Sequence, residues 1–132
     1  MSAEQGLKNW HRVLEGGNQP GALAKIIRED AVFHSPVVHT PQEGRAKVVG
    51  YLAAAGVVLN TESFRYVREF ADGDNALLEF VTELDGIQIN GVDIISFDGD
   101  GMIKDFKVMV RPLKAINKVW DMMGAQLQRQ PG

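Results

Sequence analysis

The stretch GVDIISF carries an acid where an acid is costly. Asp93 shares a face of this strand-like run with Ile95 and Phe97, because residues two apart on a strand point the same way. An isolated carboxyl in apolar surroundings pays heavily to ionise, so its pKa rises and it can donate a proton or a hydrogen bond near neutral pH. Three placements fit the sequence: lining a pocket, accepting structural hydrogen bonds, or facing solvent at a bulge near Gly91. A second acid–base group is His39, in the loop VVHTPQ. Imidazole titrates near neutrality, which makes His39 the candidate base beside Asp93 as candidate acid. His11 and His34 are the other histidines. They are scattered, with no paired carboxylates at ligand spacing, so no metal site is expected. Ser35, His39 and Asp93 can be drawn as a triad, but no strained serine elbow or oxyanion loop accompanies them, so the constellation reads as chance. No cofactor is expected.

Composition limits what these groups can serve. The chain has 132 residues, 45% of them hydrophobic and 23% charged. That suits one domain over 1–132, long enough to bury a core. The net charge of −3 argues against nucleic acid, which requires a basic surface. Absence of cysteine excludes disulfides, thiol nucleophiles and thiolate metal sites. A cytoplasmic setting is expected. The N-terminal stretch does not read as a signal peptide, and no apolar run reaches the ~20 residues that span a bilayer, so no membrane partner is expected.

The elements that must position Asp93 follow from periodicity. Leu7, Trp10 and Leu14 form one stripe on a first helix ended by Gly16-Gly17. Pro20 and Gly21 open a short second helix with Leu23, Ile26 and Ile27 on its buried side. AVFHSPVV reads as a strand stopped by Pro36. RAKVVGYLAAAGVVL is a third helix with Val48, Leu52 and Ala55 in phase. After Asn60 the period becomes two. SFRYVREF sets Phe64, Tyr66 and Phe70 against Arg65, Val67 and Glu69. ALLEFVTEL sets Leu78, Phe80 and Leu84 against Glu79 and Glu83. IQINGVDIISF and MIKDFKVMV complete four strands joined by hairpins at ADGDN, Asp85-Gly86 and DGDG. PLKAINKVWDMMGAQL closes the chain as a helix with Leu113, Ile116, Trp120, Met123 and Leu127 in a stripe.

This order predicts an α+β cone: a curved, mainly antiparallel sheet with helices packed on its concave face, plus a C-terminal helix. A hollow between such layers is usually a ligand site. Its expected ligand-binding lining is Trp10, Ser35, Tyr51, Phe64 and Phe80, with Phe106, Val108 and Val110 alternating inward on the last strand. His39 is expected on the rim. The partners expected for Asp93 are Trp10 and Tyr51. Arg111 reads as an ion-pair residue, with contact to an anionic ligand as the lesser reading.

Four stretches, WHRVLEGGN, REDAVFHSPV, PQEGRAKVVGYL and GVDIISFDGDGMI, occur in an order that resembles the nuclear transport factor 2-like superfamily. Its members include ketosteroid isomerases and SnoaL-like cyclases. The resemblance covers nearly the whole chain and implies a homodimer paired through the outer sheet face, where Met109, Val67 and Val81 offer an apolar patch. It also implies a role for Asp93. In ketosteroid isomerases an acid at the matching strand position stays protonated and donates to a developing oxyanion. The chain departs from that pattern twice. Ser35 occupies the position of the general base, and Trp10 that of a tyrosine donor. The expectation is a pocket for a small apolar molecule with its polar handle at Asp93. The alternatives are an isomerase, cyclase or hydrolase with an unidentified base, and an interaction module with a filled hollow.

Overall fold

The computed structural model describes residues 2–129. Its elements are α1 (Ser2–Glu15), α2 (Pro20–Ala24), β1 (Ile27–His34), β2 (Gln42–Glu43), α3 (Arg45–Leu59), β3 (Arg65–Asp72), β4 (Asn75–Leu84), β5 (Ile87–Phe97), β6 (Ile103–Arg111) and α4 (Leu113–Arg129). One six-stranded sheet runs in the order β2-β1-β6-β5-β4-β3. β1 lies parallel to β6, and every other pairing is antiparallel. The sheet and helices are the expected α+β cone.

Strict alternation on β4 and β5 turns one face inward: Leu78, Phe80, Thr82 and Leu84 are buried on β4, and Ile89, Asp93, Ile95 and Phe97 on β5. Trp10 of α1 meets Phe106 of β6 edge-on at 5.0 Å between ring centroids. Phe33 of β1 stacks on Tyr51 of α3 at 5.2 Å. These contacts seat α1 and α3 on the concave face.

Gly6 lets α1 come close to the sheet. A Cβ there would lie 2.2 Å from Cδ1 of Phe97, which is fully buried. Alanine is the better helix former by ~1 kcal/mol, but overpacking a tight core costs about 1–3 kcal/mol. The steric effect wins because the ring has nowhere to retreat. Gly6→Ala will therefore lower the melting temperature. An unchanged or raised midpoint in a thermal melt would show that α1 can lift off without cost.

The structure corrects several sequence expectations. α2 ends at Ala24, and Ile27 opens β1 rather than closing a helix. β-branched residues pack well on a pleated surface, and the N–H of Ile103 reaches the carbonyl of Ile26 at 2.8 Å. β2, two residues long, is too short to show a pattern. On β3 the alternation breaks at a register shift between Tyr66 and Arg68. Beyond that bulge Phe70 faces outward and is 60% exposed, because one extra residue reverses the facing of all that follow. On α4, Leu113 and Trp120 are 71% and 54% exposed, while Ala115 and Val119 make the buried contact. The helix turns Ala115 and Val119 inward and packs on α3, β5 and β6.

Candidate functional site

Strand pairing places Asp93 deep in the cone. It sits opposite Leu78 on β4 and Val108 on β6, both buried. The register of β5 runs through Gly91 without a bulge, so exposure there is excluded. Gly91 instead makes room for the Phe80 ring, since a Cβ would stand 2.5 Å from its Cζ. Asp93 is 7% exposed and borders a cavity of about 220 Å³.

The hydrogen bond to Asp93 comes from Tyr66, whose hydroxyl donates to Oδ2 at 2.7 Å. Trp10 Nε1–H donates in turn to Tyr66 Oη at 3.0 Å. Burial pushes the Asp93 carboxyl up to about 7, and the Tyr66 hydrogen bond partly opposes this by favouring the anion. Burial also raises the Tyr66 phenol well above its ordinary range, with the neighbouring carboxylate adding to the effect.

Every residue expected to line the hollow borders this cavity: Trp10, Ser35, Tyr51, Phe64, Phe80, Phe106, Val108 and Val110. Phe64 stacks on Phe80 at 5.4 Å, and Tyr66 meets Phe64 edge-on at 5.3 Å. Ser35 has a local task as well. Its Oγ accepts from the backbone N–H of Val37 at 3.1 Å and of Val38 at 3.3 Å, which fixes the turn after β1. α4 covers the cavity with Val119, Trp120, Met123 and Leu127. Its Lys118 is tied to Asp85 in the β4–β5 turn at 2.5 Å.

The histidines do not gather here. His39 is exposed and lies outside the residues bordering the cavity, so the Ser35-His39-Asp93 constellation is not assembled. His11 pairs with Glu69 at 2.6 Å and His34 with Asp105 at 2.8 Å. Among the described residues no group of three His, Cys, Asp or Glu side chains could hold a metal. Arg111 reaches Asn90 Oδ1 at 3.3 Å instead of a carboxylate, and does not border the cavity.

Three polar residues bordering the cavity, Asn18, Asn60 and Tyr66, were not among the lining expected from the sequence. Tyr66 replaces Tyr51 as the partner of Asp93. Its alternation with Phe64 marked it as inward-facing, but it pairs with Phe80 on β4 and reaches diagonally toward β5, which no local pattern encodes. Asn18 follows the glycine pair with φ 53°. Its Nδ2 donates to the Leu52 carbonyl at 3.0 Å, while its buried Oδ1 has no partner among the described residues. Gly56 leaves the space that this side chain fills.

A family model described as a SnoaL-like domain matches residues 7–106. A steroid delta-isomerase from Pseudomonas aeruginosa is 35% identical over 97% of this chain and 93% of that one, with a TM-score of 0.89. An uncharacterised bacterial protein with a cystatin-like fold, from Silicibacter pomeroyi DSS-3, is 30% identical over 89% of this chain and 84% of that one, with a TM-score of 0.81. An NTF2-like protein of unknown function from Mesorhizobium loti shares the fold at 22% identity, over 85% of this chain and 95% of that one, with a TM-score of 0.70. No curated protein sequence matches significantly.

Proposed function

Since the chain belongs to the SnoaL-like domain family, within the nuclear transport factor 2-like superfamily, we propose that its cone is a binding chamber for a small apolar molecule. The ligand is anchored by one polar group at Asp93. A single observation carries this reading: among the described residues bordering the cavity Asp93 is the one charged side chain, and aromatic and aliphatic groups make up most of the rest. An apolar wall with one polar point binds by area and orients by hydrogen bond. A cavity of about 220 Å³ speaks against a hollow filled by its own side chains. We read the whole chain, 1–132, as one such domain, in a cytoplasmic setting. No helix among the described residues is long and apolar enough to cross a membrane.

Trp10 and Trp120 both border the cavity, so their fluorescence reports occupancy. A two-ring apolar compound such as naphthalene will quench it saturably, at one equivalent per chain, and Ala55→Phe will weaken that binding by filling the space. Linear, non-saturating quenching that Ala55→Phe leaves unchanged would sink the proposal.

The likeness to a protein described as a steroid delta-isomerase favours a second reading, an enzyme of isomerase, cyclase or hydrolase type with Asp93 as the acid. The base is what that reading lacks: Ser35 stands at the base position, and His39 is outside the cavity.

We also propose a homodimer through the outer sheet face. Phe70, Val67 and Met109 are exposed there. Across the sheet Phe70 pairs with Leu77, which pairs with Ile94. Arg68–Glu79, at 2.9 Å, and Arg111 flank this apolar band. An apolar patch with a charged rim on one sheet face is an interface feature. Light scattering at micromolar concentration will give about twice the 14.5 kDa of one chain. A monomer mass would leave that patch without a purpose.

A further inference from the structure

We infer that the polar group this chamber selects is a hydroxyl, an alcohol or phenol on an apolar skeleton, in preference to a carbonyl. The inference rests on the chamber reading above and adds a ligand class to it. Its basis is the direction of the hydrogen bonds at the Asp93 end. An indole N–H can only donate, and Trp10 spends its proton on Tyr66 Oη. With that acceptor position filled, the Tyr66 proton points to Asp93 Oδ2. Both fixed donors near the acid are thereby committed, and Asp93 Oδ1 is the oxygen left to a ligand.

The other hydroxyls stand apart. Phe33 pairs with Phe106, and Val108 with Asp93, so Ser35 lies two strand spacings from Asp93, about 10 Å across the sheet. Tyr51 is stacked on Phe33, on that same far side. A ligand carbonyl at Asp93 thus receives one hydrogen bond at most, and only while the acid is protonated. A hydroxyl accepts from the protonated acid and donates to the ionised one, so it is matched in both states.

The groups facing the acid leave it free to change state without rearrangement. β4 presents Leu78 and β6 presents Val108. α1 and β3 present Trp10 and Tyr66, with His11 and Glu69 beyond the Tyr66 ring. Among the described residues, α3 and α4 add no charged side chain to the cavity wall. With the Asp93 carboxyl at about 7, the acid is mostly neutral at pH 5.5 and mostly ionised at pH 8.5.

Three probes of similar size test the inference: 2-naphthol, 2-acetylnaphthalene and naphthalene, titrated at pH 5.5 and 8.5. Naphthol will bind about tenfold more tightly than naphthalene at both values, the equivalent of one hydrogen bond. The ketone will match naphthol within about threefold at pH 5.5 and fall about tenfold by pH 8.5, to the level of naphthalene, as the acid loses the proton it donates. In Asp93→Asn the amide N–H₂ donates at any pH, so the ketone's loss will disappear. A ketone that holds its affinity at pH 8.5 in the unmodified protein overturns the inference and leaves the chamber standing. So does naphthol that binds no better than naphthalene. Saturable binding by none of the three overturns the chamber itself, and the inference with it.

Discussion

Between pH 4 and pH 8, the stability of Asp93→Asn relative to the unmodified protein will swing in its favour by on the order of 4 kcal/mol. The sign follows from where the proton sits. In the unfolded chain the carboxyl ionises near 3.8, and in the fold at about 7. Below the lower value both states hold the proton and the acid costs nothing. As pH rises through the window the unfolded chain ionises and the folded one does not, so the unmodified protein loses about 1.4 kcal/mol per pH unit. Above the folded value the loss is complete. The amide has no such titration. It keeps the Tyr66 hydrogen bond through its carbonyl oxygen, at a pH-independent cost of about 1–3 kcal/mol if its N–H₂ finds no acceptor. That cost offsets the whole curve and does not alter the swing. Urea unfolding of both proteins across the range measures it. Parallel stability curves would mean that Asp93 ionises in the fold as it does in water.

The second large effect is an absence. The unmodified protein will not convert a 3-ketosteroid to its conjugated enone above background. That reaction takes a proton from carbon beside a carbonyl and returns it elsewhere on the same molecule. A positioned base is worth about 10²–10⁴ in rate, and an oxyanion donor about 10²–10³. The family resemblance puts Ser35 where the base would be, and its oxygen already accepts from Val37 and Val38. The same resemblance puts Trp10 where a tyrosine donor would be, with its N–H committed to Tyr66. Asp93 alone can polarise the oxygen and nothing more. Ser35→Asp restores a carboxylate at the base position and can cap the same turn, so a small gain in rate is expected, larger with Trp10→Tyr. Robust turnover by the unmodified chain would expose a base outside the cavity's present lining. His39→Ala would then show whether the loop swings inward. A double variant that folds and binds steroid but gains no rate would mean that Ser35 or Trp10 does not face the reacting carbons.

Much of this was legible in the residues because each layer reports locally. Helical periodicity delimited α3 at Arg45–Leu59. Alternation on β4 and β5 assigned the inward face and put Asp93 on it. What escaped depends on relations between distant segments. The partner of Asp93 is Tyr66, two strands away, and only the register of β3 on β4 brings it there. The outward turn of Phe70 follows from a bulge, which leaves no periodic trace. The rotation of α4 that exposes Trp120 is set by what it packs against. The loop after Ser35 carries His39 away from the cavity through backbone geometry that its sequence, VVHTPQ, does not declare.

β3 is an edge strand, and of its eight residues Tyr66 alone is not exposed. The strand with the least burial therefore carries the donor that holds the chamber's acid. Such edges open at a free energy below that of global unfolding. Each opening withdraws the Tyr66 hydroxyl and lets water reach the carboxyl. Fraying of β3 and the proton affinity of Asp93 are thus linked functions. Whatever presses β3 into place, a ligand within the cone or a second sheet against its outer face, tunes the same charge. In the proposed dimer, a ligand in the cone and a second sheet on the outer face would thus bias one another through a single tyrosine.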